Sequence, residues 1–362
     1  MRQRLRFVFL GLSLSSSWGN GHATTYRALL HALASRGHDI LFLEREQPWY
    51  AEHRDMARPD FCELAFYREV AELDRWREAI ATADAVVVGS YVPEGVAVAE
   101  LVQQRAGGVV AFYDIDTPVT LAKLVAGDHE YLAPAAIPGF DLYLSFTGGP
   151  TLRRLERQFG ARSAHALYCS VDPRLYTAVE AARRWDLGYL GTYSPDRQPV
   201  LDRLLLEPAR RAPRRRFVVA GPLYPADIQW PENVERMEHL PPAEHATFYS
   251  SLGWTLNVTR ADMVAAGHSP SVRLFEAASC GVPIISDPWD GLDTLFRLSR
   301  EIVIAHTPEQ VLSALALPEQ RRKAIGLAGR KRVLAEHTAA HRARDLERLV
   351  LERAERRAVA VA

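Results

Sequence analysis

The chain has 362 residues, 48% of them apolar and 24% charged, the proportions of a globular protein long enough for two domains. Its 44 basic and 44 acidic side chains cancel, so the whole-molecule field selects neither nucleic acid nor membrane as a partner. Three widely spaced cysteines (Cys62, Cys169, Cys280) argue against a disulfide framework and for a reducing, cytoplasmic setting, and no apolar run nears the roughly 20 residues that span a bilayer.

The first residues, "MRQRLRFVFLGLSLSSSW", have the outline of an export signal: a basic start and a short apolar core. That core lasts only about six residues, and the following "TTYRALLHALASRGHDILFLE" reads as a helix, a glycine stop and a strand. A strand–loop–helix–strand unit accounts for both halves. Further on, strands are expected at 5–12, 39–44, 85–90, 108–113 and 141–146, rich in Val, Ile, Leu and Phe as strands buried on both faces are. Helices are expected between them at about 22–36, 69–82, 94–105, 117–126 and 150–159. The alternation predicts a doubly wound parallel sheet. After a polar connector at 170–184 it restarts: strand 186–191, helix 196–206, strand 216–220, helix 243–251, strand 254–258, helix 271–280, strand 282–286. The last forty residues read as helix. The one dense basic run, "RRAPRRR" (210–216), is a solvated turn or a weak contact for an acidic membrane surface.

In doubly wound sheets ligands sit beyond the carboxyl ends of the strands. In the first series "WGNGHA" follows strand one; Gly19 and Gly21 relax the loop, and the third glycine of a dinucleotide fingerprint is missing. His22 opens the next helix, where an imidazole stays neutral and suits a general base; the plainer alternative is a surface histidine. "AFYDIDTPVT" (111–120) ends another strand with Asp114 and Asp116, and alternation points only one of them at a ligand. In the second series "GYLGTYSPDR" (188–197) sets Thr192, Tyr193 and Arg197 at a strand end, and "LNVTRAD" (256–262) does the same for Asn257 and Arg260. The strongest signal is "GHSPSVRLFEAASCGVPIISDPWDG" (267–291). Ser269 or Ser271 caps a helix whose N-terminus offers free N–H groups to a diphosphate. Arg273 can add a bidentate charge and Glu276 can accept ribose hydroxyls, unless the two form an ordinary helical ion pair.

The run "SVRLFEAASCGVPIIS" resembles the nucleotide-binding signature in the C-terminal domain of GT-B glycosyltransferases. With "LNVTRADMVAAGHSP" before it, "DPWDGLDTLF" after it, and "GHATTYRALLHALASRGHDILFLEREQPWY" and "GSYVPEG" near the start, the chain resembles the spore-maturation CgeB-like branch. The resemblance implies an α/β fold of two Rossmann-like doubly wound domains facing a cleft. An acceptor domain would cover 1–170 and a nucleotide-sugar domain 171–330, with a helical segment, 331–362, crossing back to the first. It implies a hydroxyl-bearing acceptor, no cofactor, no metal and no nucleic acid, with at most peripheral membrane contact. Glu276 matches the family's ribose-binding glutamate. Where many retaining members carry a second glutamate, eight positions earlier, this chain has His268. His22 with Asp114 or Asp116 resembles the His–Asp pair of some inverting members. Two rival readings stay open: a nucleotide-sugar epimerase on the same scaffold, and a non-catalytic nucleotide-binding coat or structural protein.

Overall fold

A computed structural model describes residues 3–18 and 21–361. The chain divides into two compact units, one of residues 1–169 with 339–362 and the other of residues 170–338. In the first, strands β1 (Arg6–Gly11), β2 (Asp39–Arg45), β3 (Glu63–Tyr67), β4 (Ala85–Gly89), β5 (Val109–Asp114), β6 (Leu142–Ser145) and β7 (Ala164–Ala166) form one sheet. Its order is β3-β2-β1-β4-β5-β6-β7, and every pairing is parallel. In the second, β8 (Trp185–Leu190), β9 (Phe217–Ala220), β10 (Val234–Met237), β11 (Leu252–Asn257), β12 (Ile284–Ser286) and β13 (Val303–Ile304) pair in parallel in the order β10-β9-β8-β11-β12-β13. Each sheet reverses its strand order once, between β1 and β4 and between β8 and β11. Those switch points are where open α/β sheets leave room for a ligand.

The central strands are buried throughout: β4 and β11 expose no residue on either face. Four strands escape the sequence expectations, β3, β7, β10 and β13, and all four are sheet edges. An edge strand has one solvated flank and needs no continuous apolar run. Strand β10, "VERM", buries only its valine, and β13 is two half-buried residues. The expected helix 69–82 is a 3₁₀ segment (Val70–Trp76) running into a helical turn and a half (Arg77–Thr82). The expected helix 196–206 continues to Arg211 through a π-turn at Asp202–Leu206, directly before Glu207-Pro208. Proline there lacks an N–H to give the preceding turn, and the wider turn accommodates it.

The final helix, Ala339–Val361, belongs to the first unit and is fastened by buried charge. Asp141, 4% exposed at the start of β6, accepts from Arg353 (3.1 Å), Arg357 (2.9 Å) and the Val110 amide (3.0 Å). Glu347 accepts from Arg36 (2.6 Å) and pairs with the His38 ring (3.2 Å), whose Nδ1 in turn accepts from the Leu5 amide. Removing Asp141 leaves a buried amide and the Arg353 guanidinium unmatched and Arg357 with only the Gly108 carbonyl. Asp141→Ala should therefore lower unfolding free energy by about 2 kcal/mol in denaturant titration, discounted for the partly exposed arginines.

Candidate active site

In the second unit the loops after β8 and β11 converge on one guanidinium. Ser271 caps the helix Val272–Ser279, its side chain accepting from the Arg273 amide, so Pro270 precedes the cap and does not enter the first turn. From that first turn Arg273 reaches back across the switch point. Its Nε donates to the Leu190 carbonyl (2.6 Å) and its Nη1 to Asn257 Oδ1 (3.1 Å). The guanidinium sits 4.9 Å from the Tyr189 ring centroid. Gly191 makes this possible: a Cβ there would stand 2.7 Å from Arg273 Nη2. Gly221, at φ +137°, likewise has no room for a Cβ, which would lie 2.1 Å from the Gly191 carbonyl oxygen. Asn257 is held in turn by Thr259 (3.1 Å) and Ser286 (3.0 Å), and the buried Asp287 accepts from the Thr259 amide and hydroxyl.

Arg197 approaches the same place from the loop after β8. Its Nη2 donates to the Thr192 carbonyl (2.6 Å), while its Nε is buried with no hydrogen-bond partner. Burial depresses its pKa, and the neighbouring charge of Arg273 adds to the effect. Among the described residues no carboxylate lies within salt-bridge distance of Arg197 or Arg273. Arg273 and Glu276, which could have formed a helical ion pair, do not: Arg273 takes neutral oxygens. Burial pushes the Glu276 carboxyl up to about 7, against the opposing pull of Tyr176 and Arg273.

The other expected donor-side residues spread around this centre. Tyr193 bonds by its amide to the Pro222 carbonyl (3.0 Å) and sets its ring edge-on to Tyr224. Arg260 is the cap residue of the helix Ala261–Ala266, whose first amide is taken by Asp196 (2.8 Å). Ser269 is fully buried. His268 has φ +46°, a left-handed conformation that costs a non-glycine residue about 1 kcal/mol or more, and its amide donates to the Asp290 carbonyl.

In the first unit His22 opens the helix His22–Ala34 with Gly21 as its cap residue. Gly21 has open space around it, and Gly19 lies outside the described residues. The His22 Nδ1 is buried with no partner, and burial lowers the ring's pKa to about 4, so it is neutral at physiological pH. No hydrogen bond joins His22 to either aspartate among the described residues. Its ring instead stands edge-on to Tyr91, centroids 5.3 Å apart, and Tyr91 donates to Asp116 (3.3 Å). Tyr91 itself is held at φ +63° in the loop after β4. Asp114 lies beneath, fully buried, accepting from Tyr143 (2.6 Å) and Thr120 (2.7 Å); burial raises it to about 6. Of the two aspartates only Asp116 is partly exposed.

Tyr91, Tyr176, Gly191 and Asp287 are absent from the sequence reading. Gly191 and Asp287 carry a signal, each directly following a strand; Tyr176 lies a hundred residues from Glu276, whose carboxyl it pulls down, and carries none. Among the described residues no group of three or more His, Cys, Asp or Glu side chains could hold a metal ion, and no helix is long and apolar enough to cross a membrane.

The Glu276 carboxyl binds protons more readily folded than unfolded between pH 4.5 and 7. Its contribution to stability is therefore full below 4.5 and lost as pH rises through 7. Raising pH from 5 to 8 should destabilise the wild type by about 2 kcal/mol more than Glu276→Gln, read from denaturant midpoints at both pH values.

Residues 197–348 match the sequence model of the glycosyl transferase-like family. No curated protein matches the sequence. Solved structures match over nearly the whole chain. Sucrose-phosphate synthase from Thermosynechococcus elongatus superposes with a TM-score of 0.69 at 14% identity, over 99% of this chain and 100% of that one. Anabaena HepE in complex with UDP-glucose gives 0.67 at 11%, over 96% and 100%. An alpha-glucosyltransferase in complex with UDP-glucose and DNA containing an abasic site gives 0.70 at 11%, again over 96% and 100%. At such identities the structures share a fold, two parallel-sheet α/β domains with a helical C-terminus. The chain thus has the GT-B fold, two parallel-sheet α/β domains, and residues 197–348 carry a glycosyl transferase-like domain.

Proposed function

We propose that the chain moves a sugar from a nucleotide-diphosphate sugar to an acceptor hydroxyl without a metal ion, in the cytoplasm, as a member of the CgeB-like branch. The observation that carries this is the pair Arg197 and Arg273: two guanidinium groups at the carboxyl ends of β8 and β11, with unclaimed N–H donors and no ion pair to a carboxylate among the described residues. Charge left buried without a counter-ion is costly, and a diphosphate supplies the missing anion. Arg273 and Arg197 bind the phosphates together with the first N–H groups of the helix capped by Ser271, and Glu276 takes the ribose hydroxyls. Asn257 is a positioning residue that holds Arg273. His268 lies toward the sugar, and Thr192, Tyr193, Arg260 and Ser269 shape the surrounding loops.

On the acceptor side His22 is the base. As the acceptor oxygen bonds to the anomeric carbon, its proton passes to the imidazole and the bond to the diphosphate breaks. The negative charge that develops on the leaving diphosphate falls on preset donors. Asp116 acts through Tyr91, and Asp114 is a buried support. The partners are the donor and a hydroxyl-bearing acceptor; nothing in the sites calls for nucleic acid, and membrane contact is at most peripheral. The matched structures that hold UDP or UDP-glucose support the donor class.

A thermal-shift panel of nucleotides and nucleotide sugars tests the donor: a ligand at a hundred times its dissociation constant adds about 2.7 kcal/mol of stability, and Arg273→Ala removes the shift. No shift with any nucleotide contradicts the reading. His22→Ala should cut turnover at least about a hundred-fold with the donor-induced shift unchanged, and a chelator should leave activity intact. Donor turnover with no acceptor present would instead favour an epimerase.

A further inference from the structure

Of the Phe, Tyr and Trp side chains among the described residues, only Trp18 and Trp49 stand about half in water, at 52% and 48% exposure. Both belong to the first unit. Trp18 lies in the connection after β1 and Trp49 in the connection after β2, on the same sheet edge as His22, which follows Trp18 by four residues. One imidazole joins them. The His53 ring stacks on the Trp18 indole, centroids 4.5 Å apart and planes 20° apart, and His53 Nδ1 lies 2.9 Å from the Trp49 carbonyl. A carbonyl only accepts, so Nδ1 carries a proton and donates it.

Both connections are tied down beneath the indoles. Glu44, 1% exposed in β2, accepts from the Leu14 amide (2.7 Å), from the Ser15 amide (2.8 Å) and hydroxyl (2.7 Å), and from the Ser13 hydroxyl (3.0 Å). The Ser15 carbonyl accepts from the Asp55 and Met56 amides, and the Ser16 hydroxyl donates to the His53 carbonyl (2.8 Å). Asp55 accepts in turn from the Ser17 amide (3.1 Å) and hydroxyl (2.6 Å). The two aromatic surfaces are thus fixed before anything binds, and a fixed surface loses little conformational freedom on contact.

The surroundings select the occupant. The connection 12–21 carries no charged side chain, and 46–62 carries four carboxylates (Glu46, Glu52, Asp55, Asp60) against two arginines (Arg54, Arg58). No surplus of positive charge meets a phosphate, so neither nucleic acid nor an acidic lipid surface is favoured here. An indole side chain presents up to about 250 Å², so two half-exposed ones leave roughly 250 Å² to cover, well under the ~800 Å² that a protein partner takes from each side. A neutral sugar ring fits both limits. Its outward C–H bonds form an apolar face that the negative face of an indole attracts, and its hydroxyls bond to exposed polar groups beside the indoles, Glu52 and His53 among them. Resting on the reading that His22 takes the proton of an acceptor hydroxyl, we propose that the acceptor is a neutral saccharide and that Trp18 and Trp49 are its stacking platform.

Saturation-transfer difference NMR tests this without a donor, with maltose, cellobiose and chitobiose as probes and glycerol as the hydroxyl control. The ring C–H protons of at least one disaccharide should receive saturation, and those of glycerol should not. Trp18→Ala and Trp49→Ala should each weaken that binding about ten-fold, and Trp18→Phe should recover part of the loss. The Tm should stay at the wild-type value in all three variants. No disaccharide bound, or binding that neither alanine variant weakens, overturns the proposal. Tryptophan-dependent dimerisation in sedimentation, or adhesion to zwitterionic phosphatidylcholine vesicles, in place of sugar binding overturns it equally. The nucleotide-induced thermal shift keeps the two levels apart. A shift without sugar binding sinks the platform and leaves transfer standing. Sugar binding at the tryptophans without any nucleotide shift keeps the saccharide site and removes its role as an acceptor.

Discussion

The second unit is organised around a buried guanidinium that forms no ion pair within the unit and gives its hydrogen bonds to neutral oxygens. Arg273 is 8% exposed, and its guanidinium is held by the Leu190 carbonyl, by Asn257 and by the face of Tyr189. Neutral oxygens satisfy its hydrogen bonds without cancelling its charge, so the field remains available to an anion. The neighbourhood serves that arrangement. Gly191 clears the space, the Asp287–Thr259–Asn257 network fixes the acceptor, and Arg197 adds a second, partly unclaimed cation. An ion pair with Glu276 would have been more ordinary and would have left a site with little affinity for phosphate.

The first unit shows a related economy of partners. His22 has a buried nitrogen without a hydrogen bond, and its neighbour Tyr91 sits in a left-handed conformation that non-glycine residues adopt at a cost of about 1–3 kcal/mol. Such strain persists where surrounding structure over-determines it, and here the Tyr91 hydroxyl is tied to Asp116 and its ring packs on Tyr131. The histidine is oriented by a ring contact and the aspartate is reached through a phenol. That differs from a direct His–Asp hydrogen bond, and it gives the imidazole a lowered pKa with no nearby carboxylate bonded to counter it.

How much of this could be read beforehand divides along physical lines. Central strands announce themselves because both faces are buried, so β1, β4, β5 and β11 stand out as apolar runs. Strands β3, β7, β10 and β13 do not, because an edge strand is half solvated and "VERM" looks like any polar segment. The 267–291 block carried Arg273 and Glu276 because a cap, a helix and a strand fall within twenty-five residues. The spacing of three that places them on one face could not say that they form no ion pair; that depends on Leu190 and Asn257, which lie 83 and 16 residues from Arg273 in sequence. Alternation along "DID" narrowed the acceptor-side aspartate to one of two, and only burial separates Asp114, consumed by Tyr143 and Thr120, from the accessible Asp116.

The central claim, that the Arg273 guanidinium, free of any ion pair, is a phosphate site, has one most direct test: a crystal structure of the protein with a bound nucleotide diphosphate. Phosphate oxygens within about 3 Å of Arg273 Nη2 and of Arg197 Nε are the predicted result. A nucleotide seated elsewhere in the second unit, with both guanidinium groups still holding only the oxygens of Leu190, Asn257, Val258, Ser271 and Thr192, would contradict it.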